Sequence, residues 1–264
     1  MVIQIKNLSF AYEDKNVLKD ISFEIDKGTI TCLLGNNGSG KTTLLDNILG
    51  LYPSKKGSIF ILDEDVDRIP IARRAQMISY IPQSHEEKFP YTVTEIVLMG
   101  RNPYLKAYQK NKESDYARVD EALELMGIYD LKDRLFNHLS GGEMKMVLFA
   151  RAYVQDTDII LMDEPTASLD LKNERLLLNR VAYLAVEKHK TIVMSSHDIN
   201  HPLFFEHKGI ETKVAMLKKG RLLYQGPVNE IIHEDKINTI YDVKTKILPY
   251  NLEDGKPGRA VITV

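Results

Sequence analysis

The strongest constraint on this chain is an eight-residue stretch, Gly35-Asn36-Asn37-Gly38-Ser39-Gly40-Lys41-Thr42, which fits the pattern G-x-x-x-x-G-K-[ST]. Ordinary residue frequencies make a chance match in a chain this long about a one per cent event, so the flanks decide how to read it. Thr29 to Leu34, just before it, is a nearly continuous apolar run suited to a strand buried on both faces. Just after it, Thr43-Leu44-Leu45-Asp46-Asn47-Ile48-Leu49 reads as the continuation of a helix. Strand, glycine-rich loop and helix in that order let backbone N–H groups wrap a phosphate at the positive end of the helix. Lys41 is then expected to reach the β and γ phosphates of a nucleotide, and the Thr42 hydroxyl to help hold Mg²⁺.

Two more apolar runs extend the pattern. Ile159-Ile160-Leu161-Met162 ends at Asp163-Glu164, and Thr191-Ile192-Val193-Met194 ends at Ser195-Ser196-His197. Buried runs separated by helical segments imply a doubly wound parallel sheet, and ligands in such sheets bind beyond the strand carboxyl ends. Asp163 is placed to hold Mg²⁺ and Glu164 to polarise an attacking water. Val2-Ile3-Gln4-Ile5 and Ile21-Ser22-Phe23-Glu24-Ile25 alternate with period two, the mark of strands with one buried face.

Residues 84–155 read as a mainly helical insertion. Thr94 to Met99 is expected to be helical, and Ser114 to cap a second helix with Tyr116, Val119, Leu123 and Met126 on one face and Gly127 at its end. The tail from Gly226 reads as a small helical and strand-forming piece, with Asn251 to Arg259 polar and loose. The acidic run Asp63-Glu64-Asp65-Val66-Asp67 has the spacing of no calcium loop and reads as a solvated turn.

Charge and cysteine content narrow the setting. With 264 residues and a formal net charge of −2, no global basic field recruits nucleic acid. Cys32 is the single cysteine, so no intrachain disulfide can form; it reads as a small core residue in a reducing compartment. The stretch Met1 to Phe10 alternates apolar and polar residues and lacks the long apolar core of a signal peptide, and no stretch approaches about 18 consecutive apolar residues. A cytoplasmic chain without direct membrane insertion is expected, reaching a membrane only through a partner.

Together these residues resemble the nucleotide-binding subunits of ABC transporters over nearly the whole length. Leu139-Ser140-Gly141-Gly142-Glu143 matches that family's signature. The resemblance implies an α/β fold, a P-loop nucleotide-binding core (1–83 and 156–225) with an antiparallel β-subdomain, an inserted helical subdomain (84–155) and a short C-terminal extension (226–264). It implies ATP and Mg²⁺ as ligands, with Gly35, Asn36, Asn37, Gly38, Ser39, Gly40, Lys41, Thr42 and Thr43 on the nucleotide. Ser140, Gly141 and Gly142 would meet the γ-phosphate held by a second copy in a head-to-tail homodimer. Tyr12, in Phe10-Ala11-Tyr12, matches the aromatic that stacks on adenine. Gln83, in Tyr80-Ile81-Pro82-Gln83, matches the glutamine that senses Mg²⁺ and water, so Thr42, Gln83 and Asp163 form the expected metal set. Asp170, in Ser168-Leu169-Asp170, matches the loop that crosses the dimer interface. Glu164, His197 and Gln83 are the expected catalytic residues; His189, His201 and His207 read as plain hydrogen-bonded residues.

One branch is most similar: importers of iron–siderophore, haem and cobalamin, which implies a chain peripheral on the inner face of the membrane that works with transmembrane permease subunits and, through them, a substrate-binding protein. Ile71-Ala72-Arg73-Arg74-Ala75, the run Val93 to Tyr104 with its Gly100-Arg101-Asn102-Pro103-Tyr104, and Ile240-Tyr241-Asp242-Val243-Lys244 carry that resemblance. Ser168 stands where that branch often has histidine, and Met144-Lys145-Met146 where many relatives have Arg-Gln-Arg; the two methionines read as core or groove fillers. A soluble ABC ATPase that moves no solute, such as one for iron–sulfur assembly, would keep every nucleotide motif and stands as the alternative.

Overall fold

The computed structural model describes residues 1–54, 57–83, 90–106, 108–252 and 255–264. The chain opens with β1 (Ile3–Tyr12), β2 (Lys15–Ile25), β3 (Ile30–Leu34) and helix α1 (Lys41–Ile48). Short strands β4 (Ile59–Ile61) and β5 (Glu64–Asp65) lead into α2 (Ile71–Met77) and β6 (Ile78–Ile81). Then come α3 (Val93–Leu98), α4 (Glu113–Met126), α5 (Gly141–Gln155), β7 (Ile159–Met162), α6 (Leu171–Val186), β8 (Thr191–Ser196) and α7 (Asn200–His207). The last part holds β9 (Thr212–Lys218), β10 (Arg221–Pro227), α8 (Val228–Ile231), α9 (Glu234–Tyr241), β11 (Thr245–Asn251) and β12 (Pro257–Thr263).

The three apolar runs become β3, β7 and β8, buried along their whole lengths. They lie side by side in a six-stranded sheet of order β10-β9-β3-β8-β7-β6, parallel from β9 to β6. Register brings their carboxyl ends level: Leu34 pairs with Ser196 and Met162 with Met194. The polar residues that follow each run therefore emerge at one edge. A second sheet, β2-β1-β4-β5, is antiparallel. Its inward residues Ile3, Ile5, Ile21, Phe23 and Ile25 share a core with Leu44, Leu45 and Ile48 of α1, as the period-two alternation requires.

Helices α3 to α5 leave the sheet after β6 and return at β7, although those strands are neighbours. Val97, Val119, Leu123, Phe136, Val147 and Phe149 bind them into one core. The Gly-Arg-Asn-Pro-Tyr segment holds the end of α5. A Cβ on Gly100 would lie 2.4 Å from Arg151 O, Arg101 Nη1 donates to Val154 O at 3.0 Å, and Tyr104 OH donates to Gln155 O at 2.8 Å. Carbonyls that a helix C-terminus leaves unpaired are satisfied there.

Three local expectations are corrected. Ser114 does not cap α4: Lys112 stands at the N-cap, its N–H donating to Asp115 Oδ2 at 2.9 Å, so the helix starts one residue earlier than Ser114. Tyr116 is 48% exposed while Val119, Ala122, Leu123 and Met126 are buried, because the apolar stripe begins a turn later. Asn251 to Arg259 is not all loose, since β11 and β12 pair as an antiparallel hairpin that reaches Asn251 and resumes at Pro257. Gly127 does close α4, at φ +70°. The acidic run is a turn only in part: the chain turns at Leu62 and Asp63, pairs with β4 as β5, and then enters a short 3₁₀ turn, Val66–Arg68, with Val66 buried and Asp65 Oδ1 accepting from Asp67 N. The expected start of the helical insertion, 84–89, lies outside the described residues. Among the described residues, no helix is long and apolar enough to cross a membrane.

Candidate functional site

The loop after β3 is shaped by backbone conformations that exclude side chains. Gly35 has φ +152°, and a Cβ there would lie 2.3 Å from Leu217 O. Gly40, at the N-cap of α1, has φ +105° and would press Leu18 at 2.8 Å. With those two turns made, Asn36, Asn37 and Gly38 are exposed, Ser39 and Lys41 are buried, and no side chain caps the first N–H groups of α1. Lys41 is only 5% exposed. Its Nζ donates to Gly35 O at 2.7 Å and to Asn36 O at 3.4 Å, and lies 3.5 Å from Glu164 Oε1.

Asp163 and Glu164 follow β7, beside this loop. Thr42 Oγ1 donates to Asp163 Oδ2 at 2.8 Å, so the first residues of α1 and the end of β7 are joined at the expected metal set. Thr43, the next residue, is buried. Glu164 has φ +42°, an unusual conformation for a residue with a side chain. It is held by three neighbours: its N–H donates to Ser195 Oγ at 2.8 Å, its Oε2 accepts from Gln83 Nε2 at 2.9 Å, and Lys41 faces Oε1. His197 Nδ1 lies 3.9 Å from Glu164 Oε2 with its side chain 59% exposed, beside the carboxylate but not hydrogen-bonded to it.

Ser140 caps α5. Its Oγ and N–H both donate to Glu143 Oε2 at 2.7 Å, while Glu143 N approaches Ser140 Oγ at 3.4 Å. Among the described residues, no hydrogen bond joins Ser140, Gly141 or Gly142 to the chain's own phosphate loop. Gly141 has open space where its Cβ would be, and Gly142 only an ordinary contact with Asn173 at 3.4 Å. Asp170 is the N-cap of α6, accepting from Asn173 N at 2.7 Å. The starts of α5 and α6 therefore adjoin, with Leu171 beside them 85% exposed. Tyr12 ends β1, 39% exposed, packed edge-on against Phe10 and Tyr52 with ring centroids 4.9 and 5.3 Å away.

Sequence reasoning missed four contributors. Ser195 is fully buried and donates to Asp163 Oδ1 at 2.6 Å while accepting from Glu164 N; its place directly before Ser196-His197 was the available signal. Tyr52 completes the aromatic cluster. Tyr241, from α9, lines an open cavity of about 570 Å³ with Asn36, Asn37, Glu164 and His197, and Asn36 Nδ2 donates to Ile240 O at 3.3 Å. Lys145 is buried on α5 and donates to the carbonyls of Pro82, at 3.3 Å, and Gln83; burial pulls its pKa down, and Asp163 and Glu164 partly oppose that. Burial, then the Asp163 charge, pushes the Asp46 carboxyl on α1 up to about 6. The plain reading of His201 stands: Ser196 Oγ and Glu174 Oε1 meet its two ring nitrogens at 2.7 and 2.6 Å. A larger cavity, about 650 Å³, lies between α6, α7 and the hairpin beside this histidine, away from the phosphate loop.

This arrangement sets a backbone anion cradle, a buried ammonium and a hydroxyl–carboxylate pair around one further carboxylate. Those are the parts that phosphoryl transfer to water needs. Comparison with known proteins agrees. Residues 18–167 match the ABC transporter family. Over 243 residues the chain is 36% identical to the "Probable iron chelatin transport ATP-binding protein" of Helicobacter pylori, covering 92% of this chain and 93% of that protein. Among solved structures it is similar to a metal-chelate type ABC transporter in an inward-facing conformation, with TM-score 0.85, 28% identity, and coverage of 100% of this chain and 97% of that one. It is also similar to a dimeric ATP-binding cassette in a post-hydrolysis state bound to ADP and Pi, with TM-score 0.74, 26% identity, and coverage of 86% and 98%. The chain belongs to the ABC transporter family, as one of its ATP-binding cassettes.

Proposed function

We propose that this chain powers an importer of iron chelates by hydrolysing ATP as a head-to-tail homodimer. The observation that carries the hydrolytic part is the convergence of Gln83, Lys41 and Ser195 on Glu164. In this reading the N–H groups of residues 35–43 and the Lys41 ammonium hold the phosphates. Glu164 takes the proton of the water that attacks the γ-phosphorus, the bond to the β–γ bridging oxygen breaks, and ADP and phosphate leave. His197 steadies the γ-phosphate and Gln83 orients the water. Tyr12 stacks on adenine.

The Thr42 hydroxyl, the Asp163 carboxylate and the Gln83 amide oxygen form a set of hard oxygen donors, which suits Mg²⁺; the 2.8 Å Thr42–Asp163 hydrogen bond already brings two of them together. When bound there, Mg²⁺ would neutralise charge on the β and γ phosphates.

The dimer reading is supported by Gly141: nothing in its own chain contacts the Cβ position, so its lack of a side chain serves something that approaches from outside. Ser140, Gly141, Gly142 and Asp170 would then complete the partner's site. We assign residues 1–83 and 156–225 to the nucleotide core, 84–155 to a helical subdomain that follows the permease, and 226–264 to a C-terminal extension. Iron chelate as cargo is supported by the Helicobacter pylori relative. Such a subunit sits on the inner face of the membrane against two permease subunits, which receive solute from a binding protein.

The test is a pull-down of tagged chain from detergent-solubilised membranes, with partners identified by mass spectrometry. A many-helix membrane protein at near-equal amount is expected. Recovery only from the soluble fraction, with assembly proteins, would overturn the importer reading.

A further inference from the structure

Lys145 sits on the second turn of α5, five residues after the cap at Ser140. An ammonium near the positive end of a helix is unfavourable, and burying one costs more still unless it is bonded. Yet this side chain is 8% exposed. Its Nζ is turned across to the strand-to-loop junction after β6, where it donates to Pro82 O at 3.3 Å and to Gln83 O. The Gln83 side chain is exposed and is held at Glu164 Oε2 by one hydrogen bond of 2.9 Å. Its direction therefore depends on where its backbone is pinned, and Lys145 pins it.

We propose that Lys145 is a positioning residue that couples the start of α5 to Glu164 through Gln83. The helix between Ser140 and Lys145 is about 7.5 Å long at 1.5 Å per residue and is anchored by buried Met146, Val147, Leu148 and Phe149, so it moves as a body. A shift at the Ser140 end moves Nζ, then the Gln83 carbonyl, then the Gln83 amide relative to Glu164. In the head-to-tail dimer the partner's nucleotide is what engages Ser140, so occupancy of one site adjusts the carboxylate of the other. That last consequence rests on the composite-site reading; the pinning of Gln83 does not.

The test compares wild type with Lys145→Met, which keeps length and loses every donor, and Lys145→Arg, which keeps them. Hydrogen–deuterium exchange on the nucleotide-free chain is expected to speed up in the segment 78–83 of Lys145→Met and to stay near wild type in Lys145→Arg. In steady-state assays Lys145→Met should lower kcat about tenfold with KM for ATP within about twofold, and Lys145→Arg should restore most of it. Combined with Gln83→Ala, Lys145→Met should add little further loss, because both act through one bond. Unchanged exchange at 78–83, or a kcat loss that multiplies in full with that of Gln83→Ala, overturns the proposal. Loss of the rate dependence on partner occupancy, read as a Hill coefficient falling towards one in Lys145→Met, supports the coupling; an unaltered coefficient overturns it.

Discussion

Ser195 Oγ donates to Asp163 Oδ1 at 2.6 Å, from a side chain with no exposed surface, and the same oxygen accepts the N–H of Glu164 at 2.8 Å. One hydroxyl at the end of β8 thus fixes both carboxylate residues at the end of β7, and it holds Glu164 in its φ +42° conformation. Residues kept in such a conformation need surroundings that over-determine it.

Ser195→Ala leaves a buried carboxylate oxygen short of a donor and a buried N–H without an acceptor. The expected loss is about 1–3 kcal/mol, read as a Tm lower by roughly 5 °C. ATP turnover should fall as well, because Glu164 is freed. A variant with wild-type Tm and rate would show that the hydroxyl holds nothing.

Gly35→Ala puts a Cβ 2.3 Å from Leu217 O in a backbone conformation with φ +152°. The loop must shift, so nucleotide affinity should drop by at least about tenfold, measured by fluorescent ATP-analogue titration, with the fold kept by circular dichroism. Gly38→Ala, strained by its φ of +74° but meeting nothing within 4 Å, should cost less; equal losses would contradict the steric account.

Asp46 carries a pH prediction. Its folded-state pKa is raised from 3.8 to about 6 by burial and by Asp163. A raised carboxylate favours the folded state below about pH 4, and that contribution is lost as pH rises through about 6. Asp46→Asn should therefore unfold later than wild type at pH 7.5 in EDTA, by about 1 kcal/mol after allowing for its partial solvent screening. The difference should vanish near pH 4. A gain that is the same at both pH values would deny the titration.

Ser140→Arg removes an N-cap and places a long cation where the signature end is open. ATP binding to the single chain should be spared, and dimer formation on ATP addition should be lost, as read by size-exclusion chromatography with light scattering. Dimerisation at wild-type ATP concentrations would sink the composite-site reading.

The central sheet was readable because apolar runs buried on both faces have few other solutions, and because a positive φ at Gly35 and Gly40, with Leu217 O 2.3 Å from a Cβ at Gly35, favours glycine in the loop between strand and helix. What escaped were contacts between parts distant in sequence. Ser195 looked like one more small polar residue until β7 and β8 were seen as neighbours. Lys145 read as part of a departure from the usual Arg-Gln-Arg, and only the packing of α5 on the end of β6 turned its ammonium inward. Tyr241 lies 77 residues beyond Glu164 in the chain, and no local pattern connects them. The start of α4 differs from the sequence expectation because Asp115 reaches back to Lys112 N, which a search for a Ser or Thr hydroxyl at the cap passes over in favour of Ser114.

The most direct measurement is on Glu164→Gln: ATP turnover together with oligomeric state in excess ATP and Mg²⁺. The account predicts turnover lower by at least about a hundredfold, with ATP still bound and the chain trapped as a dimer holding two nucleotides. Near-normal turnover, or a chain that binds ATP and remains monomeric, would contradict it.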